Sequence, residues 1–107
     1  MIELTKNQKK VARQLIDIGL HRECKSFTEK IAKFTRSPEW ETANPHELYL
    51  KLYKKVVVFD KHIADRYDGL SGSRYFITVL GLFRDGVLTI EDIELFDAEI
   101  QDLLFKL

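Results

Sequence analysis

With 107 residues, 45% of them hydrophobic and 32% charged, the chain is too apolar to be disordered, too interrupted by charge to span a membrane and long enough to bury one contiguous core. Seventeen basic and 17 acidic side chains cancel, which excludes the class of strongly basic nucleic-acid binders. The neutral total conceals a gradient. Residues 1–36 hold 9 basic and 4 acidic side chains (+5), residues 37–66 hold 5 of each, and residues 67–107 hold 3 basic and 8 acidic (−5), a distribution that bears on partners and not on fold.

Helical periodicity runs through most of the chain, and there is no internal repeat, low-complexity tract or linker. Thr5 with Gln8 three residues later is a capping-box pair, and Val11, Leu15 and Ile18 follow at helical spacing with Ala12 and Ile16 beside them. Gly19 is the expected stop of this first helix. Leu20, Cys24, Phe27, Ile31 and Phe34 then alternate at four- and three-residue steps, the narrow stripe of a second helix that packs on another and closes near Arg36. Residues 37–43 contain a proline and lack periodicity, so they are expected to form a connecting loop whose Trp40 folds back as a plug.

Asn44, Pro45 and Glu47 form a strong helix start. The third helix continues to Asp68, where two glycines within residues 68–73 break it. Val56, Val57, Val58 and Phe59 have β propensity, which the surrounding helical pattern overrides. The fourth helix, residues 74–84, is apolar nearly all round and is expected to be central. Residues 75–83, the longest apolar run, make up about half of the roughly 20 residues a membrane span requires. Asp85 and Gly86 end it. Thr89 caps a fifth helix, with Glu91 and Asp92 in the first turn and Ile93, Phe96, Ile100, Leu103, Leu104 and Leu107 as its buried stripe. The expected architecture is all-α: a compact irregular bundle of about five helices in one domain. No basic start followed by an apolar stretch precedes the first helix, so the expected location is cytoplasmic.

Asp60 is the most informative residue. On the third helix it falls among Tyr49, Tyr53, Val56, Val57 and Tyr67, on the same face as Leu48, Leu52, Phe59, Ile63 and Ala64. If that face is buried, the carboxylate must be paired, hydrogen-bonded or protonated, since an unpaired buried charge costs about 3–5 kcal/mol. Three readings are open: Asp60 fixes packing register through a neighbouring donor, a partner or ligand covers the face, or Asp60 is a general base. The last lacks a second polar group.

Two further leads concern anions. In the segment 66–75, Arg66, Tyr67, Asp68, Ser71, Ser73, Arg74 and Tyr75 surround two glycines just before the fourth helix, where backbone amides and hydroxyls suit an anion. The segment lacks the Gly-Lys-Ser/Thr ending of a phosphate loop, and a helix stop followed by a serine cap explains it as well. Lys6, Lys9, Lys10 and Arg13 on the first helix, with Arg22, Lys25, Lys30, Lys33 and Arg36 on the second, form basic faces that suit a phosphate backbone, and the pair invites a helix-turn-helix comparison. Asp17, Glu23 and Glu29 interrupt those faces, and no aromatic residues interleave for base stacking. A solvated face balanced by the acidic C-terminal helix is the simpler account.

Metal and catalytic patterns are poor. His21 and Cys24 have the spacing of half a zinc site with no second pair, while His46 stands without a companion and His62 has only Asp65. Around Gly86 a calcium-loop register puts Gly81 and Phe83 where acidic ligands belong. Cys24 takes the position of a small core residue. No nucleophile, base and orienting group assemble. Leu95, Phe105 and Val58 point away from the expected core and, with Trp40, form a possible contact patch. The reading is a non-enzymatic interaction or regulatory protein without cofactor, metal or membrane contact, whose partner is another protein or a second copy of itself and whose expected contact face combines the segment 66–75 with the exposed edge of the C-terminal helix. The alternative is anion or nucleic-acid binding through the first two helices or the segment 66–75.

Overall fold

The structure, a computed structural model, describes residues 2–107. Among them it is all helical: α1 (Lys6–Thr35), α2 (Pro38–Thr42), α3 (Pro45–Tyr67), a 3-10 turn (Gly72–Arg74), α4 (Tyr75–Arg84), α5 (Ile90–Ile93) and α6 (Ala98–Lys106). No helix is long and apolar enough to cross a membrane among the described residues. The chain divides into two compact units, one of Met1–Arg22 with Gly69–Leu107 and one of Glu23–Asp68.

The first unit holds nearly all the core. Leu4, Ala12, Leu15 and Ile16 are buried, together with Tyr75, Phe76, Val79, Leu82, Leu88, Ile93, Phe96, Ile100 and Leu104. The start of α1 is capped as its sequence predicts: Gln8 N donates to Thr5 Oγ1 at 3.1 Å, and Thr5 N to Gln8 Oε1 at 2.8 Å. Gln8 is itself buried, and its Nε2 donates to Asp97 Oδ2 at 2.9 Å.

Gly19 does not stop the helix, and the two helices expected over residues 5–36 are one. The glycine answers a packing demand instead: it is buried, and a Cβ there would lie 2.8 Å from Leu82 Cδ1 on α4. Glycine costs a helix interior about 1 kcal/mol relative to alanine, which tertiary packing outweighs here. The helix-turn-helix comparison falls with the missing break.

The C-terminal helix departs in the opposite sense, since the single helix expected after Thr89 is two. Thr89 and Asp92 form a capping box for α5, but Asp97 then caps a new helix by accepting from Ile100 N at 3.2 Å. Gln101 Nε2 donates to the Phe96 carbonyl at 2.7 Å across the break. Ile93, Phe96, Ile100 and Leu104 are buried as expected; Leu103 is half-buried and the terminal Leu107 exposed. On α4, Ile77 faces solvent, so this helix is buried on one side and not all round. Gly86, at φ 77°, provides the left-handed residue that ends α4.

The second unit contains residues 23–35 of α1, then α2 and α3. Residues 37–43, expected as an irregular loop, include the short α2, because Ser37 accepts from Trp40 N and Pro38 presets the first turn. Trp40 packs edge-on against Phe34, with ring centroids 5.6 Å apart. Asn44 caps α3 by accepting from His46 N and Glu47 N. Leu48 is the single buried apolar residue of this unit.

Because Leu82 is fully buried, it has little room to yield to a new side chain at position 19. Gly19→Val is expected to destabilise the protein by about 1–3 kcal/mol despite valine's better helix propensity. A lowered urea midpoint checks this; an unchanged one would mean that α1 and α4 do not need the close approach.

Candidate functional site

The apolar face predicted for α3 is split lengthwise. Leu48 is buried and Leu52, Phe59 and Ile63 are half-buried along one edge, while Ala64 and Tyr67 are half-buried towards the end of the helix. Along the other edge Tyr49 and Tyr53 are each 60% exposed, Val56 and Val57 nearly half exposed, and Asp60 continues the row as an exposed residue. The rings of His46, Tyr49 and Tyr53 succeed one another at 6.3 and 6.5 Å up this edge. Of the three readings of Asp60, the one in which it is buried and fixes packing register does not hold, because its side chain is exposed.

The buried carboxylate of this unit is Glu23, which the sequence presents only as an interruption in a basic face. Its side chain is 11% exposed and accepts from Arg66 Nη1 at 2.7 Å, Tyr67 Oη at 2.6 Å and His62 Nε2 at 2.5 Å. Burial alone would raise its pKa, but donation by Tyr67, Arg66 and His62 outweighs burial and holds it below the usual carboxylate range. Burial and the same carboxylate push the Tyr67 phenol well above its usual value. With three donors around it, Glu23 is a clasp between α1 and α3. No local pattern marks it, because its partners lie 39 to 44 positions away along the chain.

Segment 66–75 is divided between the two units, with Arg66, Tyr67 and Asp68 in the second and Ser71, Ser73, Arg74 and Tyr75 in the first. Arg66 and Tyr67 are committed to Glu23, and Asp68 is the C-cap of α3, its amide bonded to the Ala64 carbonyl. Ser71 and Ser73 hydroxyls lie 2.9 Å apart, and Ser71 provides no side-chain cap to the turn that follows it. Arg74 is exposed.

The nine basic residues of the expected nucleic-acid faces are likewise divided. Lys25, Lys30, Lys33 and Arg36 are exposed and belong to the second unit. Arg22 is tied down in the first: Nη1 donates to Asp92 Oδ2 at 2.6 Å and to the Val87 carbonyl at 2.9 Å, and Nη2 to Asp92 Oδ1 at 3.2 Å. Arg22 first, aided by Thr89, overcomes partial burial and draws the Asp92 carboxyl down to about 2. The remaining four, Lys6, Lys9, Lys10 and Arg13, line a basin of about 500 Å³ with Asn7, Gly72 and Tyr75.

A groove of about 830 Å³ also opens within the second unit. Its apolar part includes Phe27 and Phe59, stacked with centroids 4.1 Å apart, together with Ile31, Phe34 and Val58. Lys30, Lys51, Lys54 and Lys55 surround these, Lys51 paired with Glu39 and Lys55 placed 5.0 Å over the Phe34 ring. Val58, Leu95 and Phe105 are exposed, as their wheel positions predict; Phe105 still meets the Phe83 ring edge-on at 5.9 Å. Cys24 is half-buried. Among the described residues no three His, Cys, Asp or Glu side chains converge as metal ligands.

Compared with models of known families, with curated proteins and with solved structures, the chain has no significant match.

Because Glu23 is held deprotonated by its donors, its stabilising effect is present above the ordinary carboxyl value of 4.5 and is lost as pH falls through its lower folded value. Glu23→Gln is expected to cost about 1–3 kcal/mol near neutral pH and to reduce the loss of stability on acidification. Urea unfolding at a series of pH values reads both; parallel profiles for the two proteins would show that Glu23 is not a clasp.

Proposed function

We propose that this protein acts by binding another protein, as a small cytoplasmic interaction or regulatory module without a catalytic step, and that the contact surface is the outer edge of α3. The exposed row of Tyr49, Tyr53, Val56 and Val57 carries the proposal. These residues recur at helical spacing, so they form one continuous strip, and the helix itself is fixed through Asn44 at its start and the Glu23 clasp near its end. Tyrosine offers a large, stiff, amphipathic surface and is enriched at protein interfaces. A strip of this composition on a second unit whose buried apolar core is Leu48 suits a surface completed by a partner.

Asp60 has a role in this reading. An aspartate among tyrosines and valines costs little in water and becomes expensive once covered, unless the partner brings a cation or donor to it. It would thus reject partners that are merely apolar, the usual way a charge confers specificity.

The surface location separates binding from folding. Tyr53→Ser combined with Val57→Ser should change stability by less than about 1 kcal/mol, since each position makes few internal contacts. The same variant should lose a protein that the parent retains from an extract of its source with nuclease present. Sedimentation at rising concentration tells a second copy of the chain from a different partner. Retention of the same protein by parent and variant, with no self-association in either, would overturn the assignment.

A further inference from the structure

We infer that the basin formed by Lys6, Lys9, Lys10, Arg13, Gly72 and Tyr75 is a binding site for a chain of phosphoryl groups. It lies within the first unit and shares no residue with the α3 surface, so it stands or falls independently of the protein-binding reading. Residues 6, 9, 10 and 13 share one face of α1, which brings four cations together over two turns. No carboxylate lines the basin, and among the described residues Lys6, Lys9 and Lys10 make no ion pair. Like charges at this spacing repel, and they surround the first turn of a 30-residue helix, whose amides add further positive potential. A polyanion relieves that repulsion.

The opposite wall gives the cluster a shape. Arg13 Nη2 donates to Tyr75 Oη at 2.9 Å and Nε to the same oxygen at 3.3 Å, so a neutral phenol orients the guanidinium and leaves its charge uncancelled. Asp17, one turn further on, attracts Arg13 but does not line the basin. Gly72 opens the floor: a Cβ there would stand 3.2 Å from Lys9 Nζ and 3.1 Å from its Cε. The missing side chain leaves the Lys9 ammonium against bare backbone. At about 500 Å³, the basin has the size of a small-molecule site. Four cations match several phosphoryl charges better than one.

Such a chain can be a free oligophosphate or the backbone of a nucleic-acid strand, and inorganic tripolyphosphate and a short single-stranded oligonucleotide represent the two. Titration calorimetry on the full chain is expected to show saturable binding of at least one, weakening steeply between about 50 and 200 mM salt. A ligand for which the oligonucleotide is the tighter probe is a nucleic-acid backbone; the reverse order makes it a free oligophosphate. Lys9→Gln with Lys10→Gln should weaken binding and lower the salt slope for the oligonucleotide by about 1.4. Gly72→Asp, which sets a carboxylate against Lys9, should abolish binding without removing a cation. Lys30→Gln with Lys54→Gln, in the other unit, should bind as the parent does. Circular dichroism confirms that each variant is folded, and perturbation of the Gly72 and Tyr75 amide resonances locates the ligand. No saturable binding by either probe, or equal binding by the parent and both basin variants, would overturn the inference, as would equal loss in the Lys30 and Lys54 variant.

Discussion

The close approach of Gly19 to Leu82 is the contact on which the arrangement of the first unit depends. It places a residue without a side chain at the point where α1 meets the fully buried Leu82 of α4. A glycine that would weaken an isolated helix is retained because the packed neighbour supplies more than the local preference takes away. All the buried residues of α1 lie at or before this contact: Gln8, Ala12, Leu15, Ile16 and Gly19. After it the helix continues for 16 residues with none buried, of which residues 23–35 belong to the second unit.

The two units are consequently stabilised by different means. The first relies on apolar burial, supported by caps that satisfy helix ends, with Gln8 and Asp97 serving both their own helices and each other. The second has a thin core and depends more on polar contacts, chiefly the Glu23 carboxylate with Arg66, Tyr67 and His62, and on aromatic packing of Phe27 with Phe59 and Phe34 with Trp40. A clasp of this kind holds α3 by one edge. Its other edge, carrying Tyr49, Tyr53, Val56, Val57 and Asp60, is left available for an external surface.

Helix content, the caps at Thr5, Asn44 and Thr89 and most of the first unit's core were legible in the sequence, because each is written in residues a few positions apart. Two boundaries differ from the sequence pattern for different reasons: Gly19 answers to Leu82, far along the chain, and so resembles a stop, whereas Asp97 starts a new helix by a local cap on Ile100 N inside an apolar spacing that runs on unbroken. Periodicity placed Asp60 on the correct face of α3 but could not tell which edge of a broad apolar face the chain itself covers. Glu23 was invisible for the complementary reason, as a carboxylate in a basic stretch that becomes a hub only when residues 62, 66 and 67 arrive. The basin was half legible: the spacing of Lys6, Lys9, Lys10 and Arg13 is in the sequence, whereas their meeting with Gly72 and Tyr75 is a product of the fold.

The proposal of a partner protein on the tyrosine edge of α3 requires that solvent access to that edge fall when the partner is present. Hydroxyl-radical footprinting tests it most directly, by comparing oxidation of Tyr49 and Tyr53 in dilute purified protein with oxidation of the same residues in an extract of the protein's source. Ready oxidation is expected when the protein is alone and strong protection in the extract, with exposed side chains elsewhere, such as Ile77, unchanged between the two. Equal oxidation of both tyrosines in the two settings would contradict it.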